Sequence, residues 1–423
     1  MIERNGPGES LIILINLNTQ EQGRTMNFSP SPEMQEFLRQ VRKFIDNEVL
    51  PLERDLRAMS WSEIAARLEP MRQQNKDRGW WLPQIEKAYG GMGLSIVEHG
   101  LLCAEIGRTP FGMYLLNAQA PDAGNMEILI QYGTEAQKQR FLQPLLEGKI
   151  RSSFSMTEPE HAGSNPVYMS TRAVKDGEEW VINGHKWFSS AADGADFLIV
   201  MAITNTAADA NLHSRASMIL VPSDTPGYSL ARNISVMGHA GDGYTGHAEV
   251  YYDDVRVPLS NTLGGEGQGF AIAQDRLGPG RIHHCMRWMG ICERCFEIMC
   301  QHVVTRELAP GVTLGTKQFV QGWIAESRAE INAARLMVLD AAWKIDTLGK
   351  AQARTEISLI KFFCTNVLNK VIDRALQSLG AAGMTDDFPI AGYYRSERAA
   401  RIYDGADEVH KISAAKQILK QYS

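Results

Sequence analysis

The residues whose types and spacing could do chemistry lie in a few short stretches. Near the C-terminus stands Tyr403-Asp-Gly-Ala-Asp-Glu-Val-His410, with Asp404 between an aromatic residue and a glycine. A carboxylate in a partly dry site has a raised pKa and can act as a general base. Asp404 can equally cap a helix, with Asp407 at the capping-box position, and the two roles are compatible. A second stretch is Phe154-Ser-Met-Thr-Glu-Pro-Glu-His-Ala-Gly-Ser164. The hydroxyls of Thr157 and Ser164, with backbone N–H groups of a glycine-containing loop, can hold a polar ring edge or a pyrophosphate. The same residues serve in ordinary turns. In a third stretch Trp187 precedes Ser189 by two positions, so in a strand the indole and the hydroxyl share one face. Trp187 as a plain core residue is the alternative. Cys292 and Cys295 form a CxxC, but no second pair or His pair completes a zinc set, and Cys285 to Val304 reads as a helix. The six cysteines read as free thiols in a reducing compartment.

The elements that must position these residues change character twice. From Ser31 to Gly148 the spacing is helical: Met34, Phe37, Leu38, Val41, Phe44 and Ile45 mark one apolar face, and Pro51 interrupts that helix. Thr134 with Gln137 makes a capping box. From Arg151 to Leu263, short runs such as Phe197–Ile203 and Ser217–Val221 alternate with turn signals at Asp176-Gly177, Asn183-Gly184 and Pro226-Gly227. That pattern predicts antiparallel strands in a small sandwich or barrel. From Gly264 onward long helices return. Phe319, Trp323, Ile331, Ala334, Val338, Ala341 and Ile345 define one face, and Ile357, Ile360, Phe363, Val367, Val371 and Leu379 another. Lengths of about 25 residues predict an antiparallel bundle.

The chain has 423 residues and a net charge of −6, enough for several domains and a large core. An acidic balance argues against a nucleic-acid partner. The apolar run Leu11–Leu17 is too short to span a bilayer. No integral membrane association is expected, and the expected location is the cytoplasm. The expected division is an N-terminal extension at 1–26, a helical domain at 27–150, a β-barrel at 151–263 and a helical bundle at 264–423.

Eight segments, taken in order, resemble the acyl-CoA dehydrogenases. They are Phe154–Ser164, Asn183-Gly-His-Lys-Trp-Phe-Ser-Ser190, Val221-Pro-Ser-Asp-Thr-Pro-Gly227, Asp253-Asp-Val-Arg-Val-Pro258, Gly264-Gly-Glu-Gly-Gln-Gly-Phe270, Gly280-Arg-Ile282, Gln377-Ser-Leu-Gly380 and Arg401-Ile-Tyr-Asp-Gly405. The resemblance runs from about Phe28 to Leu419. It implies a mainly α fold with an N-terminal helical domain, a central β-barrel and a C-terminal four-helix bundle. It implies FAD, a homotetramer or homodimer with FAD at a subunit boundary, and α,β-dehydrogenation of an acyl-CoA to the trans-2-enoyl-CoA within fatty acid β-oxidation. Asp404 would take the α proton, FAD N5 the β hydride, and an electron-transfer flavoprotein the electrons. By resemblance Phe154, Met156, Thr157 and Ser164 line the flavin, Ser164 also reaching toward the CoA arm. Trp187 shields the flavin and Ser189 donates near N5. Arg306, Gln318, Gln377, Gly380, Ala381, Ala406 and Glu408 serve the cofactor, several of them a neighbour's. Arg281, Tyr403 and Gly405 lie on the substrate side, Arg281 as partner of Tyr403 or of the CoA arm.

Several positions depart from the family pattern. The flavin loop has one extra residue at Glu160-His161 and Asn165 in place of Asp. Asp404 replaces the Glu of many members, one methylene or about 1.5 Å shorter, and resembles a subgroup with Asp. Ala406 and Glu408 stand for Thr and Gln, Pro310 replaces a Phe, and Arg306 is displaced by one residue. The same fold admits a nitroalkane oxidase or an acyl-CoA oxidase as alternatives, and more remotely a DNA-associated flavoprotein without dehydrogenase turnover.

Overall fold

The structure, a computed structural model, describes residues 28–207 and 209–422. The expected extension at 1–26 lies outside the described residues. Helices of eight residues or more are numbered here in chain order.

Local signals start the first helices. Ser31 caps α1 (Pro32–Phe44) by accepting from the Met34 N–H, and Met34, Val41 and Phe44 are buried. Ahead of Pro51 the helix widens into a π-turn at Ile45–Val49 and tightens into a 3-10 turn at Leu50–Leu52. The proline thus ends α1 by deforming its last turns. Helix α2 (Trp61–Asp77) follows, then α3 (Ile96–Ile106), whose capping box is Ser95 with Glu98. The Asp346 carboxylate also accepts from the N–H groups of Ile96 and Val97, joining the start of α3 to the C-terminal bundle. Helix α4 (Asp122–Tyr132) precedes the expected Thr134–Gln137 capping box, which is present.

Eight strands follow: β1 (Ser152–Ser155), β2 (Arg172–Asp176), β3 (Glu179–Ser190), β4 (Phe197–Ile203), β5 (Ala216–Pro222), β6 (Tyr228–Asn233), β7 (His247–Pro258) and β8 (Thr262–Leu263). They form one sheet in the order β6-β7-β3-β2-β4-β5-β8, with β1 parallel to β4. The path is open at β6 and β8, so the expected barrel is instead an open mixed sheet. Closure depends on pairing between strands far apart in sequence, which local alternation does not encode. The Asn183-Gly184 turn signal is a second correction. Both residues lie inside β3, at a register shift opposite β7. Gly184 is needed there because a Cβ would meet Thr171 Oγ1 at 2.3 Å.

All seven residues of β4 are buried. Phe197, Ile199, Met201 and Ile203 pack on Met126, Phe141 and Leu145 of the N-terminal helices. Leu198, Val200 and Ala202 face Trp180, Val250 and Val257 of the sheet. The strand therefore joins the two layers, as two-sided burial requires.

The chain then runs through α5 (Gly269–Thr305), α6 (Gln318–Leu348), α7 (Arg354–Leu379), α8 (Ile390–Glu397) and α9 (Asp407–Leu419). Five of the seven residues expected on the apolar face of α6 are buried, from Ile331 to Ile345 together with Ala334, Val338 and Ala341. Phe319 is 83% exposed, whereas the next residue, Val320, is buried in the bundle core. Among the described residues, no helix is long and apolar enough to cross a membrane.

Helices α3 and α5 touch backbone to backbone. A Cβ on Gly290 would meet the Ala104 carbonyl oxygen at 2.3 Å, and one on Gly107 the Arg287 carbonyl oxygen at 2.6 Å. Gly290→Ala should therefore push α3 from α5 and lower stability by about 1–3 kcal/mol. A thermal melt of the variant checks this, and an unchanged midpoint would contradict the close packing.

Candidate active site

The loop between α8 and α9 carries Asp404, and the loop is tied down from three helices. Asp404 has φ +52°, a left-handed conformation that is uncommon outside glycine and better tolerated by Asp and Asn than by most residues. Its carbonyl accepts from His410 Nε2 at 3.0 Å and from Arg281 Nε at 3.4 Å. Lys361 of α7 donates to the carbonyls of Ala400 at 2.7 Å and Gly405 at 3.3 Å. Tyr403 Oη accepts from Trp288 Nε1 at 3.2 Å and Arg287 Nη2 at 3.3 Å. Arg287 in turn grips Glu397 through two contacts at 2.7 and 3.0 Å. The arginine that reaches the Tyr403 hydroxyl is thus Arg287, while Arg281 reaches the Asp404 carbonyl.

The capping alternative for Asp404 does not hold. Helix α9 begins at Asp407 with Ala406 at the N-cap and no side-chain cap bond. Asp407 is spent elsewhere: its carboxylate accepts from Arg401 Nε at 2.8 Å, Asn366 Nδ2 at 2.9 Å and Thr365 Oγ1 at 3.2 Å. Burial alone would raise its pKa, but Arg401 and Asn366 outweigh that and hold it below the usual carboxylate range. The Asp404 carboxylate is left facing the interior, with His284 Nε2 3.3 Å from Oδ2.

Basic groups cluster around this one carboxylate. Burial lowers the pKa of Lys361, Arg281 and Arg276, and in each case attraction to Asp404 is the largest opposing effect. Burial also brings the imidazoles of His284 and His410 down to about 4, so both are neutral at neutral pH. Arg276 links the loop to the β domain. Its guanidinium lies 4.2 Å over the Phe154 ring, and its Nε donates to Asn125 Oδ1 at 2.9 Å.

On the β side, Phe154, Met156 and Thr157 leave the end of β1 and continue into the loop. The Thr157 carbonyl accepts from the Trp187 N–H at 3.0 Å, so the loop and β3 run side by side here. Lys186, wholly buried, donates to the Met156 carbonyl at 2.7 Å and pairs with Glu158 at 2.9 Å. Glu158 also accepts from the N–H groups of Ser170 and Thr171, at 2.5 and 2.8 Å. Trp187 Nε1 is buried and has no hydrogen-bond partner within the protein. An orphaned buried donor calls for an acceptor, and the polar edge of a flat heterocycle such as a flavin would supply one. Ser164 is exposed on the same loop.

Ser189 departs from its expected place. The register of β3 shifts between Lys186 and Ser189, and Phe188 has φ +49°. Alternation is broken there, so Trp187 and Ser189 do not share a face. Ser189 is fully buried, its hydroxyl 2.9 Å from Ser155 Oγ, which also accepts from Tyr252. The next hydroxyl, Ser190, is half-buried and meets His247 Nδ1 at 2.7 Å.

The remaining cofactor candidates gather elsewhere. Arg374 of α7 pairs with Glu326 and Glu330 of α6, so Gln377, Gly380 and Ala381 lie abreast of the first turns of α6, where Gln318 stands. All four are exposed, as is Arg306 just before them. Along α7, Gln377 is about 18 Å from Thr365, the residue beside Asp407. Ala406 and Glu408 remain with the Asp404 loop, Glu408 exposed. Sequence reasoning missed His284, Lys361, Arg276, Arg287 with Glu397, and Lys186 with Glu158. The His283-His284 pair, directly after the Gly280-Arg281-Ile282 segment, was the available signal for the first.

Three family models tile the chain: the acyl-CoA dehydrogenase N-terminal domain at residues 31–149, the middle domain at 153–255 and the C-terminal domain at 267–419. The chain belongs to the acyl-CoA dehydrogenase family. It is 42% identical over 402 residues to acyl-CoA dehydrogenase family member 11 of Gallus gallus, covering 92% of this chain and 51% of that protein. The chain thus spans about half the length of that relative. It is also 42% identical over 403 residues to "Probable acyl-CoA dehydrogenase FadE2" of Mycobacterium tuberculosis, covering 94% of this chain and 98% of that one. Butyryl-CoA dehydrogenase of Megasphaera elsdenii superposes with a TM-score of 0.79 at 28% identity, over 93% of this chain and 100% of that chain. Flavin-dependent oxidoreduction goes with this family, and FAD is its cofactor. The donor set around Phe154, Thr157 and Trp187 fits that group.

Proposed function

We propose that the protein removes two hydrogens from the α and β carbons of an acyl-CoA thioester, with Asp404 as the base. The observation that carries this reading is the placement of Asp404. Its backbone is clamped, its carboxylate is not used in capping, and Arg276 stands within electrostatic reach of it while stacking on Phe154. The base and the aromatic strip of the β domain therefore flank one interior.

Asp404 takes the α proton onto a carboxylate oxygen. Phe154, Met156, Thr157 and Trp187 would hold the isoalloxazine edge, and the loop bearing Ser164 would serve the CoA arm. Bound there, FAD would supply the acceptor for the β hydride. Buried cations around Asp404 favour negative charge developing on the thioester oxygen, and the enclosing aromatic residues Trp288 and Tyr403 keep water from it. The exposed group Arg306, Gln318, Gln377, Gly380 and Ala381 suits the cofactor of a second copy, beside the exposed Phe319. A homotetramer or homodimer follows from this, and an electron-transfer flavoprotein is the acceptor proposed for the electrons.

The test is a visible spectrum of the purified protein followed by addition of acyl-CoAs of several lengths without oxygen. Bleaching of the oxidised flavin band by at least one chain class is expected, with slow reoxidation in air. Bound flavin that no acyl-CoA bleaches would refute this reading and direct attention to nitroalkanes. Rapid oxygen consumption would replace the dehydrogenase with an oxidase.

A further inference from the structure

The Asp404 backbone is held twice through its carbonyl, but its carboxylate has two free torsions. One ionisable side chain among the described residues stands in contact with that carboxylate: His284, at 3.3 Å from Nε2 to Oδ2. Of the nearby cations, Arg281 donates from Nε to the Asp404 carbonyl, Lys361 to the carbonyls of Ala400 and Gly405, and Arg276 to Asn125 Oδ1 and the Pro121 carbonyl. We propose that His284 is the positioning residue of the base: as the carboxylate turns onto it, the 3.3 Å contact from Nε2 to Asp404 Oδ2 closes into an N–H donation that fixes the carboxylate against the α carbon. This inference rests on the assignment of Asp404 as the base.

A positioning group must itself be fixed, and the imidazole is. It lies nearly parallel to the Trp288 ring, at 24° and 6.0 Å, and edge-on to Tyr403, at 61° and 5.7 Å. Trp288 and Tyr403 are joined by a hydrogen bond, and Arg287 with Glu397 anchors the Tyr403 hydroxyl. Order in the packed helices is thus passed through two aromatic rings to the imidazole and from it to the carboxylate. His284 comes from α5, while Asp404 sits on the loop before α9, so the contact also ties the mobile side chain to a second rigid element.

The chemistry of the donor suits a base. Because burial keeps His284 neutral, it orients the carboxylate through one N–H without setting a full positive charge against it. A charged partner would hold the proton-accepting oxygen back. A carboxylate one methylene shorter than the usual Glu has less reach to spare, and misplacement by about 1 Å can cost about a hundredfold in rate.

His284→Leu keeps comparable bulk and removes the donor, while His284→Gln keeps an amide donor of similar reach. The probes are butyryl-, octanoyl- and palmitoyl-CoA, each also deuterated at the α carbon, mixed anaerobically with the holoenzyme. With the probe that bleaches wild type fastest, His284→Leu should slow the limiting rate about tenfold to a hundredfold. The concentration for half-saturation should stay unchanged, and the α-deuterium isotope effect should rise. His284→Gln should return to within about threefold of wild type. A wild-type rate and isotope effect in His284→Leu would overturn the proposal. So would equal slowing in both variants with an unchanged isotope effect, the signature of a spacer. If His284→Leu fails to retain flavin, His284→Asn takes its place as the amide too short to reach: slow Asn beside fast Gln supports positioning, and two fast variants overturn it. Asp404→Asn separates the two assignments. Full bleaching in that variant removes the base itself, whereas an inert Asp404→Asn beside a normal His284→Leu removes positioning alone.

Discussion

Asp404→Asn is expected to slow anaerobic flavin bleaching by about a thousandfold or more while the protein keeps its yellow colour. A positioned general base contributes about 10²–10⁴-fold. The substitution is well chosen for the backbone. Asn, like Asp, tolerates the left-handed conformation that Asp404 adopts at φ +52°, and the carbonyl bonds from His410 and Arg281 do not involve the side chain. Because Lys361, Arg281 and Arg276 also lose an attracting charge, loss of rate reads on proton transfer when the variant keeps its FAD and its melting temperature. Asp404→Glu sharpens the point. It restores a carboxylate but adds about 1.5 Å of reach, in a site whose backbone is already fixed for the shorter residue, so a loss of about a hundredfold is expected. Stopped-flow absorbance in the flavin band measures both. A wild-type rate in Asp404→Asn would remove Asp404 from the reaction.

Much of this arrangement is written locally in the chain, and the parts that are not share a cause. The capping box at Thr134–Gln137, the turn at Asp176-Gly177 and the helical spacing of Ile331, Ala334 and Val338 each involve residues within one or two turns of one another. Each is found where expected. Together with the family segments they made the order of helices, sheet and bundle legible. The open sheet was not, because whether β6 and β8 meet is decided by strands far apart in sequence. Asn183-Gly184 carried a turn composition into a strand, because the close approach of Thr171 demands a glycine there whatever its neighbours suggest. Ser189 followed from alternation that a single irregular residue, Phe188, cancels.

The site shows the same division. Asp404 stands out in its motif as the candidate base. Its surroundings do not, because Arg276, His284, Lys361 and Arg287 come from two other helices and meet it only through packing. The capping alternative was reasonable on spacing alone. It fails because Asp407 is held by Arg401, Asn366 and Thr365 and so fixes the start of α9 three residues beyond Asp404. That separation gives the candidate base a free carboxylate: the capping-box position is occupied by a residue committed to structure, and the residue before the glycine is left for chemistry.

Glu158→Gln should destabilise the flavin loop by about 3–5 kcal/mol, the cost of leaving one member of a buried ion pair without its partner. The pair is among the most enclosed in the protein, with Lys186 at 0% and Glu158 at 1% side-chain exposure and 2.9 Å between them. It holds the loop from both sides: Lys186 binds the Met156 carbonyl, and Glu158 binds the N–H groups of Ser170 and Thr171. Burial draws the Lys186 pKa down to about 8. Burial would raise that of Glu158, but Lys186 and the loop N–H groups bring it below the usual carboxylate value. At neutral pH the pair is therefore ionised. A carboxylate with a depressed folded pKa gives stability that is present above its ordinary titration range and lost as pH falls through the folded value. The gap between wild type and Glu158→Gln should accordingly be widest near neutrality and should narrow in acid. Release of FAD on heating, followed by flavin fluorescence at pH 7 and at pH 4, measures both quantities. Adding Lys186→Met to Glu158→Gln should recover most of the loss, because an apolar side chain in that position needs no counter-charge. A single variant within about 0.5 kcal/mol of wild type at pH 7 would mean that the loop N–H groups, and not the buried charge, hold the flavin strip in place.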